Sequence, residues 1–400
     1  MKDFFRGIKQ HKWCLIYATI VCLYLVIKMY RDIYMTSASQ GGLWNLIQLF
    51  FIVLGFVILL SRYNSVVFRY GNVTIKYILW FSFLSLFFGF ISIPALNLKS
   101  LYGLGMIPYG SLVLVTSIVV GNIVSLDTKS FQWLYIFTFL ALCVVFLLGR
   151  RQEALNEFFE GAGMVASVYY ILCFFPLVLA IKPQWRVYIF IIVAVSLLMS
   201  NKRAGMIAFG VCLIYYFAFN KQIRISKFKL LSILAVVCVA IFFLMNFVVS
   251  NYGFDVMSRM DKLEESGGAG RLTRWVTVLD AIDRSSFFEL VFGHGDGSVY
   301  RFLGGEVHND FISVFFEYGI VSLFFYLLYF LSSFGMWWKM RKDNYRYETS
   351  VLMLNVITLF LALFSFYIIR PTYITASMFS YGLFITDWYK QKHKNRYVRV

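Results

Sequence analysis

Residues 131–148 read FQWLYIFTFLALCVVFLL, and this stretch decides the class of fold. It contains no charged side chain, and basic residues flank it at Lys129 and Arg150. A helix needs about 17–25 mostly apolar residues to cross the hydrocarbon core of a bilayer. Because a helix satisfies its own backbone hydrogen bonds, such a stretch is stable in lipid. The stretch therefore predicts a membrane-spanning helix.

Eleven further stretches of this kind are spread along the 400 residues. Together the predicted spans are 13–29, 43–60, 77–93, 105–125, 131–148, 163–181, 186–199, 204–219, 229–249, 311–335, 350–368 and 373–388. Hydrophobic residues make up 60% of the chain, charged residues only 14%, and the mean hydropathy is +0.73. This composition excludes a set of soluble domains. We predict an all-α integral membrane protein of about 12 transmembrane helices, with a tight hairpin between the seventh and the eighth.

The distribution of basic residues predicts the orientation of these helices. With the N-terminus in the cytoplasm, 23 of the 37 Lys and Arg residues lie on the cytoplasmic side, in clusters such as Lys221–Lys229. Short loops on the opposite side hold only 8, and the long loop 250–307 holds the other 6. Cytoplasmic loops of membrane proteins carry the excess of Lys and Arg. We therefore expect both termini in the cytoplasm. The same clusters account for the net charge of +17 and argue against nucleic-acid binding.

The long loop divides the chain into three parts. Residues 1–249 hold the first nine predicted helices, residues 250–307 form the extracytoplasmic loop, and residues 308–400 hold the last three helices and a basic tail. The loop is the largest soluble segment, and its nine acidic residues outnumber its six basic ones. We expect the chemistry of the protein to lie on this side of the membrane.

Several kinds of site have no support in the sequence. There is no Walker A motif and no nucleotide-binding GxGxxG turn. There is no HExxH motif, no clustered His/Cys set for zinc, and no acidic DxD pair for a metal-bound nucleotide sugar. The six cysteines lie in apolar runs without a CxxC pair, which is typical of buried helix-packing residues. We therefore expect neither a metal nor another cofactor.

Two arginines follow a glycine-rich segment in the long loop. Arg271 and Arg274 precede Trp275, Val278 and Ile282, which recur at helical spacing, so we predict a helix that begins at Arg271. The N-terminal N–H groups of a helix and two guanidinium groups together suit a bound phosphate. The alternative is that these arginines pair with carboxylates of the loop.

Further ionisable residues lie on the same side of the membrane. Arg203 follows Ser200-Asn-Lys at the outer end of the hairpin, where an interfacial arginine is the alternative interpretation. His308 opens the segment HNDFISVFFEYG, and its imidazole suits proton transfer near neutral pH. His294 lies in a Gly-His-Gly turn, for which we favour a structural role. Glu317 lies nine residues after His308, and as an intramembrane carboxylate we expect it to pair with Arg203 or Arg370.

These motifs together resemble the Wzy-type O-antigen polymerase and O-antigen ligase superfamily. The resemblance covers roughly residues 198–335. It rests on the S-x-x-R hairpin ending at Arg203, the G-R-x-x-x-W motif ending at Trp275, the G-x-G turn around His294, the H-N-x-F-I motif from His308 and the E-x-G motif from Glu317. Lys202 departs from the family pattern, which often has a small or polar residue there. The resemblance also implies a GT-C-like arrangement of the helices.

The resemblance implies a metal-independent, inverting glycosyltransferase that uses a glycan carried by undecaprenyl diphosphate. It implies an active site on the periplasmic side of a bacterial inner membrane. The residues it assigns are His308, Arg271 and Arg203 as catalytic, and Arg274, Asn309 and Glu317 as substrate-binding. In this interpretation the arginines stabilise the departing diphosphate and His308 takes the proton of the acceptor hydroxyl.

Within this superfamily we favour an O-antigen polymerase, which moves a growing glycan onto the next lipid-linked repeat unit. The G-x-G turn and the segment HNDFISVFFEYG are more similar to the polymerase branch. Two alternatives remain open, an O-antigen ligase that hands the glycan to a lipid A core, and a flippase or transporter of lipid-linked oligosaccharides. The expected partners are the undecaprenyl-diphosphate-linked oligosaccharide, membrane lipids and a chain-length regulator.

Overall fold

The fold is all-helical in the part of the chain that the computed structural model describes. The described residues are 2–34, 43–63, 73–91, 106–155, 167–200, 202–219, 271–365, 367 and 371–397, and they contain no strand. Their α-helices are α1 Lys2–Tyr34, α2 Leu43–Tyr63, α3 Val73–Ile91, α4 Tyr109–Ile123, α5 Lys129–Leu155, α6 Val168–Ile181, α7 Arg186–Ser200, α8 Arg203–Phe219, α9 Arg271–Asp283, α10 Phe287–Phe292, α11 Ser298–Leu303, α12 Asp310–Lys342, α13 Glu348–Phe364 and α14 Pro371–Tyr397.

Eleven of the twelve predicted spans coincide with one of these helices. The ninth, 229–249, lies outside the described residues. Within the described part of the chain, five helical segments are long and apolar enough to cross a membrane, namely Lys12–Tyr34, Val73–Ile91, Lys129–Gly149, Pro183–Ser200 and Asp310–Lys342. An integral membrane protein is consistent with these helices, while the count of twelve and the GT-C-like arrangement stay predictions. The tight hairpin is confirmed, because only two residues separate α7 from α8.

Helix α14 differs in character from the predicted lipid-facing spans. Its residues from Tyr373 to Asp387 are buried by the surrounding helices, although they include several hydroxyl side chains. The hydroxyl of Ser380 donates to the carbonyl of Ala376 at 2.8 Å, so the helix satisfies this polar group itself. A side chain at Gly382 would come within 2.6 Å of Ser117 Cβ in α4. Close approach through small residues is typical of helix packing in membranes.

The helix ends gather into two groups, and contacts at one end of the bundle define the first. Asp32 near the end of α1 accepts a hydrogen bond from the hydroxyl of Tyr170 at the start of α6, at 2.6 Å. The ring of Tyr170 contacts that of Tyr373 at the start of α14, with centroids 5.4 Å apart. Arg271 at the start of α9 donates to the carbonyl of Phe364 at the end of α13, at 3.0 Å. We call this the outer end.

The second group lies at the opposite end of the same helices. Arg346, between α12 and α13, contacts Asp127 between α4 and α5 at 2.8 Å and Asp387 near the end of α14 at 3.4 Å. The ammonium of Lys390 donates to the carbonyl of Gly121 at 2.7 Å. The described helices thus alternate in direction as the charge pattern predicts. That this basic end faces the cytoplasm stays a prediction.

Helices α9, α10 and α11 form a small domain at the outer end, together with the first part of α12. Its core consists of Val278, Ile282, Val299, Val307 and Phe316. The predicted span 311–335 is therefore not one uniform helix. At Gly319 the backbone leaves the helical conformation, with φ 76° and ψ 178°, and α12 bends there. Before the bend, Ile312, Phe315 and Phe316 pack in the small domain, whereas Phe311, Val314 and Tyr318 pack in the core of the bundle. The helix as a whole also packs against α3 and α13.

Candidate functional site

The first turn of α9 connects the small domain to the membrane bundle. Helix α9 is described from Arg271 onward, and the Nη1 group of Arg271 donates to the Phe364 carbonyl at 3.0 Å. The last carbonyls of a helix have no partner within the helix and carry partial negative charge, so a guanidinium is a favourable donor to them. A guanidinium has five N–H donors. One bond to a carbonyl therefore leaves Arg271 able to bind an anion as well.

Two side chains one turn further along α9 hold the segment that leads to His308. Arg274 Nη1 donates to the Glu306 carbonyl at 2.9 Å, and the indole N–H of Trp275 donates to the Val307 carbonyl at 2.8 Å. Two adjacent peptide carbonyls are thus fixed by one helical turn. The arginine–tryptophan motif and the histidine motif, 33 residues apart from Trp275 to His308 in the chain, meet through these bonds.

His308 itself has an unusual backbone conformation. Its φ is 57°, in the left-handed region that residues other than glycine seldom adopt. On its C-terminal side, Asn309 Oδ1 accepts a hydrogen bond from the Ile312 amide at 3.1 Å and so caps α12. Asp310 is buried, and its Oδ2 accepts hydrogen bonds from the Tyr326 hydroxyl and the Tyr367 amide, both at 3.0 Å. Fixed backbone on both sides therefore determines where the partly buried imidazole lies.

The side chain of Asn309 was predicted to bind substrate, and the structure gives it a different contact. It is 7% exposed and caps the helix that follows His308. Such a cap is worth about 0.5–2 kcal/mol when it is replaced by alanine. The described contacts of Asn309 and Arg274 both position His308.

Arg203 begins α8, and its side chain lies outside the described part of the structure. Its helix is nevertheless close to the start of α9, because Tyr169 lies between them. A side chain at Gly205 would come within 3.2 Å of Tyr169 Cε1. The hydroxyl of Tyr169 lies near the side chain of Ser365 and within electrostatic range of Arg271. The structure thus brings the N-terminal turn of α8 and the Arg271 side chain close to the same tyrosine.

Several polar groups near this tyrosine were not predicted as site residues. Lys28 pairs with Asp32 at the end of α1, and Asp32 also accepts from Tyr170. Tyr373 contacts the rings of both Tyr169 and Tyr170, with centroid distances of 5.5 and 5.4 Å. The only sequence signal was a Tyr-Tyr pair at the outer start of a predicted span. These polar residues lie together at the outer ends of α1, α6 and α14.

The Gly-His-Gly turn packs directly on the bend of α12. The amide of His294 donates to the Phe316 carbonyl at 2.8 Å, and the amide of Gly295 donates to the Glu317 carbonyl at 2.9 Å. At Gly293 an added Cβ would lie 2.3 Å from the Glu317 carbonyl oxygen, and at Gly319 it would lie 2.1 Å from that of Val291. Both glycines have a positive φ. The backbone of the G-x-G motif therefore packs directly against the backbone of the E-x-G motif, and glycine is needed on both.

The side chain of His294 takes part in the same packing. Its Nε2 lies 2.9 Å from the Ser285 hydroxyl and its Nδ1 lies 3.4 Å from Glu289 Oε1. Its ring lies against that of Phe316, with centroids 4.3 Å apart. These contacts agree with the structural role that we favoured for His294.

Glu317 has a different partner from the ones we expected. It is buried, and its Oε1 accepts a hydrogen bond from the Val299 amide at 3.3 Å, at the start of α11. The expected partners were Arg203 and Arg370, and both of those side chains lie outside the described residues. A carboxylate at the N-terminal end of a helix is stabilised by the free N–H groups there. The described contact of Glu317 thus joins α11 to α12 inside the small domain.

No group of three or more His, Cys, Asp or Glu side chains that could hold a metal ion occurs among the described residues. The basic groups at the outer end include Arg271, at the start of the described part of α9. An arginine binds phosphate through its planar set of donors. The described residues therefore include a group suited to an anion and, through the bonds of Arg274 and Trp275, the segment that carries an imidazole.

Comparison with known proteins identifies a related family. Residues 188–327 match the family model described as O-antigen ligase. This segment contains most of α7, all of α8 to α11, the bend at Gly319 and all five motifs discussed above. A search of curated proteins finds no match to the chain. The family covers both ligases and polymerases, and its members are glycosyltransferase-like enzymes that act on lipid-linked polysaccharides.

Proposed function

We propose, from the match of residues 188–327 to the O-antigen ligase family model, that the chain is an enzyme of the Wzy and O-antigen ligase superfamily and transfers a glycan from undecaprenyl diphosphate to an acceptor hydroxyl. The reaction takes place at the periplasmic face of the inner membrane, where the outer end of the helix bundle lies. The enzyme is an O-antigen polymerase, and the acceptor is the next lipid-linked repeat unit.

One observation carries this proposal, the connection between the start of α9 and the His308 segment. Arg271 opens the helix whose next turn binds the carbonyls of Glu306 and Val307. A group suited to a diphosphate and a group suited to proton transfer are thus held by the same short element. Transfer from a diphosphate needs both, because a leaving group gains negative charge while the acceptor loses a proton.

The proposed mechanism is a single displacement. The acceptor hydroxyl oxygen attacks the anomeric carbon, the bond from that carbon to the diphosphate oxygen breaks, and the diphosphate keeps the electron pair. His308 accepts the hydroxyl proton. Arg271 and Arg203 stabilise the charge on the diphosphate, which removes the need for a metal. Attack opposite the leaving group inverts the configuration of the anomeric carbon. Arg274, Asn309 and Glu317 hold the reacting groups in position.

Substitution of the two central residues tests this mechanism. In reconstituted membranes, His308→Ala is expected to abolish chain extension while the protein still inserts. Arg271→Lys keeps the charge but loses the planar donor set, so a loss of roughly 10²–10³ in rate is expected. Arg284→Lys is a matched control, since Arg284 is an exposed arginine of the same small domain. Chain extension should continue in EDTA. A normal rate with Arg271→Ala would disprove the diphosphate site.

The ligase is a second candidate, because the matching family model is described by that activity. Deletion of the gene distinguishes the two. Without a polymerase, lipopolysaccharide should carry a single repeat unit, since a ligase elsewhere still attaches it. Without a ligase, lipopolysaccharide should carry none. The second result would assign this chain the ligase reaction with the same site chemistry.

A further inference from the structure

The tip of the small domain carries two exposed phenylalanines. Phe287 is 73% exposed and Phe288 is 70% exposed, at the start of α10. Phe316 of the same domain is buried in its core, and the other exposed large side chains of the domain, among them Tyr300 and Phe302, are less exposed, at 61% and 51%. Two adjacent aromatic side chains of this size at a tip are typical of an interaction surface and not of scattered surface residues.

The tip is rigid, so the phenylalanines have a defined direction. Ser286 and Glu289 form a reciprocal capping box, in which the Glu289 carboxylate accepts from the Ser286 amide at 2.8 Å and from its hydroxyl at 2.7 Å. These hydrogen bonds lower the pKa of Glu289. The other carboxylate oxygen faces His294 at 3.4 Å. The one acidic side chain of α10 is thus directed back into the small domain.

The exposed phenylalanines continue the exposed face of a membrane helix. Phe288 stacks on Phe292 with centroids 6.3 Å apart, and Phe292 contacts Phe88 of α3 at 5.1 Å. Phe88 lies one turn before the outer end of α3, which is long and apolar enough to span a membrane. The side of α3 that faces away from the bundle is a stripe of exposed aromatic residues, Trp80, Phe83, Phe87 and Phe90, each between 52% and 60% exposed.

We propose that Phe287 and Phe288 insert into the outer leaflet of the membrane beside α3. The occupant of this surface is the acyl-chain region of the lipids, because the exposed stripe on α3 is suited to lipid. A chain of aromatic contacts links this stripe to α10, from Phe87 through the buried Phe88 to Phe292. Aromatic side chains are favoured at this depth. The insertion sets the height of the small domain above the bilayer, because α10 is joined to α12 through the Gly-His-Gly turn.

Spin labelling in proteoliposomes of phosphatidylethanolamine and phosphatidylglycerol tests the proposal. A nitroxide on Phe288→Cys is expected to collide more with oxygen, which concentrates in lipid, than with an aqueous nickel complex. Phe287→Cys gives an independent reading in case one substitution disturbs the tip. Asp280→Cys, on the exposed polar side of α9, is the control and should show the opposite order. The described native cysteines are buried, and the labelled parent chain gives their background.

Each other outcome would overturn the proposal. More collisions with the nickel complex at both phenylalanine positions would mean that the tip lies in water. Protection from both reagents would mean that the tip is covered by protein, either a second copy or a partner such as a chain-length regulator. These readings need no glycan substrate. Failure of the proposed glycosyl transfer would therefore leave this result unchanged.

Discussion

At the scale of single residues, the conformation of His308 shows how the site is built. Its left-handed backbone is enforced from both sides, by the bonds of Arg274 and Trp275 to residues 306 and 307 and by the Asn309 cap. Strained backbone of this kind costs about 1–3 kcal/mol and persists only where the surroundings determine it. Arg274 and Asn309 thus hold the backbone of His308 in place, a role that their residue types alone do not reveal.

Removal of the indole N–H tests this positioning role. Trp275→Phe keeps an aromatic ring in the core but leaves the Val307 carbonyl without its donor, which costs about 0.5–1.5 kcal/mol. If that energy holds His308 in place, kcat of chain extension falls roughly 2- to 10-fold while KM changes little. Trp13→Phe, at a position 68% exposed on α1, is the control. An unchanged kcat would contradict the role of this hydrogen bond.

At the scale of elements, the bend in α12 allows the small domain to dock on the bundle. The Gly-His-Gly turn donates two backbone hydrogen bonds to residues 316 and 317, and a side chain at Gly293 or Gly319 would clash with the facing backbone. A mostly apolar pattern, interrupted only by Glu317 among charged residues, predicted a single span here. The pattern did not reveal the bend, because the backbone segment that packs on it comes from another part of the chain.

A pair of substitutions in this one helix tests the bend. Gly319→Ala meets the Val291 carbonyl and needs a positive φ, so a loss of about 1–3 kcal/mol in the free energy of unfolding is expected. Gly335→Ala lies in open space in the same helix and should have no such cost. Thermal unfolding in detergent, followed for both variants, gives the comparison. Equal stability of the two would mean that the contact at Gly319 is relaxed in solution.

At the scale of the whole molecule, the alternation of helix directions separates the two ends chemically. Arg346 and Lys390 hold the basic end together, and the start of α9 lies at the other. The excess of Lys and Arg predicts that the basic end faces the cytoplasm. The central position of α14 could not be predicted in this way, since its hydroxyl side chains lower its hydropathy and its neighbours bury it.

Labelling of introduced cysteines tests the orientation. A membrane-impermeant maleimide added to cells with a permeabilised outer membrane should label Asp283→Cys at the end of α9. It should not label Ser130→Cys at the start of α5 until the inner membrane is opened. Both positions are exposed. The reverse pattern would invert the topology and remove the proposed active site from the periplasm.

The sequence by itself determined the helices, their alternating direction and the chemical types of the site residues. Lipid requires long uncharged stretches, loop charge sets orientation, and Arg271 at a helix start with a histidine beside the membrane suits a diphosphate reaction. Only the tertiary structure decided the partner of Glu317, the place of Tyr169 between two helix starts and the bonds from Trp275 to the His308 segment. These features depend on contacts between residues that are far apart in the chain. A side-chain hydrogen bond forms only when its two atoms are about 3 Å apart. A local sequence pattern does not specify which distant residues come that close.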